Sequence, residues 1–508
     1  MTKKVTGLIT SLTLWDVVAM NIVAIVGLRW ISRSARIGAP AVTLWILACL
    51  LFFVPLAAVL AELSSRHPQQ GGIYAWARRA FGPAHGFVCG WCMWVNNLFY
   101  FPALLLFAAA NALIPLGAAE SMADSRFYSV TFVLGFLWAT TFLNIFGFSA
   151  GKWLQHVGSV ATWIPAAILI ACGAIAFASL GSATSFAPAE LLPRENFWDS
   201  ISFWSSLCFA FSGFEISSMV GQEVYNPRQT IPRSIVLSGI AITVIYILSS
   251  ASILVAVPAS ELAERSGIAD AVELVTSRLG FAGIGAFIAF LLVVGSIGGT
   301  SSWIAGAARV PFAAGVDAVM PAAFAKLHDK YRTPHVALIV QAIATSALFL
   351  VSVFLSVGGG QTTVQEAYDI MVNLTILIYF LPYLYLFAAF IRLRSMDAGM
   401  PVDEHTVRLP GGTPGAWLIA GCGIFATVVA MALVFVPPPG TENALNYEVN
   451  LIGQTAFLIG IGMFFYWSAR RRSDGVSGHA VALCEAAVSL SARSGAHAIV
   501  AVTREGNT

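Results

Sequence analysis

Glu215 stands within an apolar run, Phe209-Ala210-Phe211-Ser212-Gly213-Phe214-Glu215-Ile216-Ser217-Ser218, beside a glycine and three hydroxyls. A carboxylate at bilayer depth is costly unless it faces a cavity or a partner, which marks it as a functional side chain. Desolvation penalises the charged form of such a group, so Glu215 is a candidate proton carrier. The structural alternative is an ion pair with a basic neighbour. A second stretch, Ile25-Val26-Gly27-Leu28-Arg29-Trp30, has the same character. Arg29 can receive a carboxylate bidentately. Arg33 and Arg36 follow on roughly the same helical face, where they would either favour anionic substrates at an outer mouth or snorkel to the interface. A helix that unwinds in mid-membrane exposes N–H and C=O groups, tolerated only where they line a cavity or meet a ligand. Free N–H groups from Ile25 to Leu28 suit a carboxylate, and free carbonyls at Phe211, Ser212 and Gly213 suit an ammonium. Alternatively, Gly27 and Gly213 simply let helices pack closely. Asn96 and Asn97 are adjacent amides in an apolar helix and need partners. Trp303 and Phe211 are candidate lining or gating rings. Asp16, His156 and Asn373 are further polar side chains within spans, with Asp16 suited to an inner-gate ion pair.

The elements that must position these groups are membrane helices. The 508 residues are 58% hydrophobic and 10% charged, with mean hydropathy +0.80. Soluble domains carry about 25% charged residues. The chain is therefore an all-α polytopic membrane protein, with the lipid bilayer as its surroundings. Spans of about 20 apolar residues number about twelve, near 12–36, 41–63, 84–115, 128–148, 154–180, 200–222, 233–257, 283–314, 334–356, 363–392, 415–436 and 449–470. Lys3, Lys4, Arg66, Arg78, Arg79, Lys152, Arg309, Lys330, Arg392, Arg394 and Arg408 fall on one side of that alternation, which places both termini in the cytoplasm of a cell-membrane protein. Residues 70–80 read as an interfacial or re-entrant helix, and 261–278 as an outer lid helix. Residues 1–472 form the transmembrane domain and 473–508 a polar cytoplasmic tail. The net charge of +2 and the lack of a basic patch with interleaved aromatics give no sign of nucleic-acid binding. Cys89-Gly-Trp-Cys92 has redox spacing but lies in a membrane helix and reads as two ordinary helix cysteines.

Three stretches resemble the amino acid–polyamine–organocation transporter superfamily. They are Glu62 to Pro68 with Gly71-Gly72-Ile73-Tyr74 and Phe81-Gly82; Phe211 to Glu215 with Glu223 to Arg233; and Gly295-Ser-Ile-Gly-Gly299 through Trp303 and Ala308-Arg309 to Asp317 and Pro321. Val26-Gly-Leu-Arg29 and Trp163-Ile-Pro165 resemble the glutamate/γ-aminobutyrate antiporter-like branch, although the Gly-x-Gly usual in the first broken helix is absent. The resemblance implies a five-plus-five inverted repeat with helices 1 and 6 broken. It implies a substrate held by both breaks, a pathway role for Glu215 and a substrate contact for Asn97. Some superfamily members place a lysine in the fifth span where others bind sodium. Here Val157 to Ala167 has no lysine, while Thr300, Ser301 and Ser302 offer hydroxyls that more often bond their own backbone. The resemblance thus favours proton coupling or exchange over sodium symport.

The expected function is secondary transport of an amino acid, without cofactor or metal, with a polyamine or cationic amino acid as the alternative substrate. No G-x-x-x-x-G-K-[ST] is present to bind a nucleotide. No H-x-x-x-H is present to suggest a membrane metalloenzyme, and a 36-residue tail is small for a nutrient sensor. His479 and His497 in that tail would suit a pH-dependent plug.

Overall fold

The computed structural model describes residues 7–468, apart from 118–121, 123–124, 194–196, 259–267, 279, 281–282, 318, 355–363, 400–403, 405, 437–447 and 450. The expected tail, the first half of the expected lid and the Asn373 side chain lie outside the described residues. Ten helices among them are long and apolar enough to cross a bilayer, and a bent pair makes an eleventh. The chain is a multi-pass membrane protein.

The bent pair is the first span. Helix α1 (Leu14–Ile25) opens with a capping box, in which Thr13 and Asp16 exchange side-chain and backbone hydrogen bonds. It stops at Val26, whose backbone is extended. Helix α2 (Arg29–Ala35) resumes at 42° to it. A Cβ on Gly27 would stand 2.8 Å from Trp30 Cδ1, so only glycine lets the Trp30 ring fold back over the break.

Helix α3 (Pro40–Arg66) contains a π-turn over Cys49–Phe53. The extra residue in that turn turns two successive rings inward. Phe52 packs edge-on to Phe380 and Tyr383, and Phe53 lies against Phe211 and Phe214. The amphipathic stretch at 70–80 is α4 (Ile73–Phe81), followed by α5 (Pro83–Ala112), α6 (Arg126–Ile145) and α7 (Phe148–Leu180).

The expected span at 200–222 is the second interrupted helix. It comprises α8 (Phe197–Ala210) and the short α9 (Glu215–Met219), joined through Gly213 at φ 129°. A Cβ at Gly213 would lie 2.8 Å from Ile25 Cγ1 and 3.1 Å from Trp303 Cζ2. The two breaks therefore abut. Next come α10 (Pro227–Ala256), α11 (Ile268–Arg278) at the expected lid, α12 (Ile284–Val316), α13 (His335–Phe354), α14 (Val364–Met396), α15 (Gly412–Leu433) and α16 (Leu451–Ser468). Helix α1 packs on α7, α10 and α12, so the first break sits at the centre of the bundle.

Candidate functional site

Both breaks open on one chamber lined by Ala24, Ile25, Trp30, Asn96, Asn97, Tyr100, Phe209, Ala210, Ser212, Trp303 and Tyr379. Its walls are aromatic. Phe209 contacts Trp30, Tyr100 and Tyr379 with ring centroids 5.8, 6.1 and 5.5 Å apart, and Trp303 meets Tyr100 and Tyr379 at 5.8 and 6.1 Å. The Trp303 indole N–H donates to Ala24 O at 2.9 Å, fastening α12 to the first break. Asn97 Nδ2 donates to Met93 O in its own helix. The Oδ1 atoms of Asn96 and Asn97 are buried with no hydrogen-bond partner among the described residues. A buried acceptor left unmet is costly, and these two stand at the chamber wall.

A second cavity shares Ala24 and Tyr100 with the first and is lined by Val26, Gly27, Leu28 and Arg29, with Phe107, Thr162 and Ser296. The buried Arg29 guanidinium lies 4.8, 5.6 and 5.9 Å from the Trp30, Tyr100 and Phe107 rings. Arg33 and Arg36 are exposed, and Arg33 lies over Phe203, so the arginine stripe is divided into one inner and two outer members.

Of the expected residues, Ile25, Asn97, Ser212 and Trp303 reach the chamber, and Val26 to Arg29 reach its neighbour. Phe211 points the other way, into Trp45, Phe53 and Tyr246, and the ring that this helix offers the chamber is Phe209. Glu215 is fully buried behind the chamber wall. Its oxygens accept hydrogen bonds from the Tyr379 and Tyr383 hydroxyls, the latter at 3.0 Å, where an ion pair was the sequence alternative. Tyr379 touches both the chamber and Glu215.

Tyr246, on α10, has no sequence signal, being one aromatic in an apolar helix. Its hydroxyl accepts the Gly27 N–H at 2.9 Å and lies 2.7 Å from Ile25 O and 3.0 Å from Ala210 O. One oxygen thus ties both breaks together.

One end of the bundle is sealed. Arg309 forks onto Glu223 through two 3.0 Å hydrogen bonds, both side chains being buried, and Gln70 also donates to Glu223. The N–H groups of Ser11 and Leu12 donate to Glu223 O, and Leu12 bridges Val224 as in a parallel sheet. Asp16 meets His156 at 2.7 Å and Lys152 at 3.8 Å, joining α1 to α7. Arg78 meets Asp317 at 2.6 Å.

A multi-pass bundle with two abutting helix breaks around a chamber defines a secondary transporter. The family model for amino acid permeases matches residues 12–464, and the chain belongs to that family. An uncharacterized transporter of Legionella pneumophila is 31% identical over 91% of this chain and 97% of its own length. A probable agmatine/putrescine antiporter of Lactococcus lactis is 27% identical over 82% of this chain and 86% of its own length. A glutamate/γ-aminobutyrate antiporter from the same species is 23% identical over 82% and 81%. Among solved structures, MhsT in complex with L-phenylalanine superposes with TM-score 0.57, at 14% identity, over 82% of this chain and 98% of MhsT. That likeness shows the LeuT-type fold, in which the broken helices are the first and the sixth.

Proposed function

We propose that the chain carries amino acids across the cell membrane by alternating access, in exchange for a related solute or with a proton, with both termini in the cytoplasm. The observation that carries this reading is the chamber where the breaks meet. It presents two unmet amide oxygens, from Asn96 and Asn97, to an ammonium, with Arg29 beyond Tyr100 for a carboxylate. Aromatic walls suit the cationic end as well. Glu215 is the proton carrier in this reading, because Tyr379 reports chamber occupancy to it. The positive-inside rule supports the orientation, since the sealed face holds Arg78, Lys152 and Arg309.

An amine or polyamine is the second reading. The unmet acceptors and aromatic walls favour it, as does the likeness to the agmatine/putrescine antiporter. A thermal-shift screen of the purified protein against amino acids, their decarboxylated amines and polyamines separates the two, since a ligand that binds the fold stabilises it with occupancy. A zwitterionic or acidic amino acid that stabilises wild type but not Arg29→Ala supports the first reading. Shifts confined to amines, and retained in Arg29→Ala, replace it with the second.

A further inference from the structure

A large cavity opens at the ends of α3, α14 and α15, far from the chamber. Its volume is about 690 Å³. Its polar lining is Arg66, Arg392, Arg394, Arg408, Ser395 and Thr413, with Asp397 as the carboxylate among the described lining residues. Its apolar lining is Phe81, Ala388, Ile391, Ala416, Trp417 and Ile424.

Two buried acids at this end, Glu62 and Asp397, are already engaged. Glu62 holds Arg394 at 3.1 Å, and Asp397 is shared by His67, Arg79 and Arg66. Arg392 spends its Nε on Ala80 O and stacks over Phe81, and Arg408 is exposed at the rim. Among the described residues lining the cavity, positive charge therefore exceeds the carboxylates. The mouth lies beside the first turn of α15, whose dipole also favours an anion there.

Depth identifies the occupant. Tyr383 holds Glu215 beside the helix breaks, which in carriers of this architecture lie near the bilayer midplane. Arg392 follows nine residues later on α14, about 14 Å along the helix at 1.5 Å per residue. The hydrocarbon half-thickness is about 15 Å. The guanidinium groups thus reach headgroup level, while Ala388 on α14 and Ile424 on α15 lie deeper, toward the acyl region. Trp417, 59% exposed, sits where interfacial tryptophans anchor.

We propose that this cavity holds one anionic phospholipid of the leaflet on the arginine-rich face. Arg392 and Arg408 engage its phosphate, and an acyl chain lies along Ile391, Trp417 and Ile424. Basic pockets between membrane helices take anionic headgroups for this reason. The lipid would clamp α14, which carries Tyr379 and Tyr383, to α15.

The test is native mass spectrometry of delipidated protein titrated with phosphatidylglycerol or phosphatidylcholine. Expected are selective retention of phosphatidylglycerol, roughly tenfold weaker retention in Arg392→Gln/Arg408→Gln, and no change in the charge-matched Lys326→Gln/Lys330→Gln. Thr413→Glu, which places a carboxylate at the mouth and keeps every arginine, is expected to weaken it likewise and serves if the double variant fails to fold. Equal losses in both double variants would mean diffuse surface attraction and overturn the proposal. So would equal retention of phosphatidylcholine, or displacement by glycerol 3-phosphate, which would make the site one for soluble anions.

Discussion

At the scale of single residues, Tyr246 is the side chain with most at stake. Its one hydroxyl hydrogen cannot serve Ile25 O and Ala210 O at once, at 2.7 and 3.0 Å. One of the two carbonyls is therefore left without this hydrogen, available to an ammonium in the proposed function, and both carbonyl-bearing residues line the chamber. Tyr246→Phe keeps the ring stacked on Trp45, 4.4 Å between centroids, and removes only the tie. Leaving the Gly27 N–H and a carbonyl unmet costs about 1–3 kcal/mol, and the KM for exchange in proteoliposomes is expected to rise on the order of tenfold. An unchanged KM beside a lowered melting temperature would reduce the hydroxyl to a structural brace. Little of this is visible in the chain itself. Gly27 and Gly213 stand out because helix breakers are conspicuous in apolar runs. A tyrosine in α10 does not stand out, since its partners lie 219, 221 and 36 residues away. Phe211 and Phe209 exchange places for a related reason: helical periodicity ends at the break, so a side chain beyond it has no readable face.

At the scale of elements, the clasp between α3, α4 and α14 shows what hydropathy leaves hidden. His67 ends α3, outside the span, with Nε2 2.8 Å from Asp397 Oδ2 and Nδ1 3.1 Å from Arg79 Nη1. Arg79 can only donate, so Nδ1 accepts and the Nε2 hydrogen points at Asp397, which specifies a neutral imidazole. Burial first, and then the Arg79 charge, hold His67 below its ordinary value, against the opposing pull of Asp397. The unfolded chain therefore binds this proton more readily than the native one. Stability from the neutral ring is complete above about pH 6.5 and is lost as pH falls from there through the lower folded value. Between about pH 7.5 and 5.5, wild type is expected to lose more melting temperature than His67→Gln, which has no proton to gain. Parallel curves would show that the clasp does not titrate. His67 and Asp397 are 330 residues apart, and only the fold joins them. By contrast, α4 was legible at 70–80 because its amphipathic pattern is local, and the twelve apolar runs were legible because bilayer thickness sets their length.

At the scale of the whole molecule, the question is which gradient the rocking bundle can use. A sodium ion in a carrier of this architecture is held by carbonyls at a half-helix end and hydroxyls from a facing helix. At the junction of α1, α7 and α12, groups of those types are hydrogen-bonded to their surroundings. Thr300 Oγ1 donates to Ser296 O at 2.9 Å, Ser301 Oγ accepts from Asn144 Nδ2 at 2.9 Å, and Ser302 Oγ donates to Met20 O at 3.4 Å. Ala24 O is taken by Trp303. Gly158 of α7 and Gly298 of α12 meet so closely that a Cβ on either would stand 2.8 Å from the other's Cα, and a Cβ on Gly299 would meet Val23 O at 2.8 Å. Backbone thus packs against backbone where α1, α7 and α12 meet. In the proposed function the proton carrier is Glu215, buried between two phenols. Exchange in proteoliposomes is therefore expected to run at the same rate when potassium replaces sodium on both sides. In Glu215→Gln the exchange rate should lose its dependence on pH while substrate-induced thermal stabilisation persists. A strict sodium requirement would show that α7 and α12 part during the cycle to open a cation site. A pH dependence surviving in Glu215→Gln would move the proton to another carboxylate.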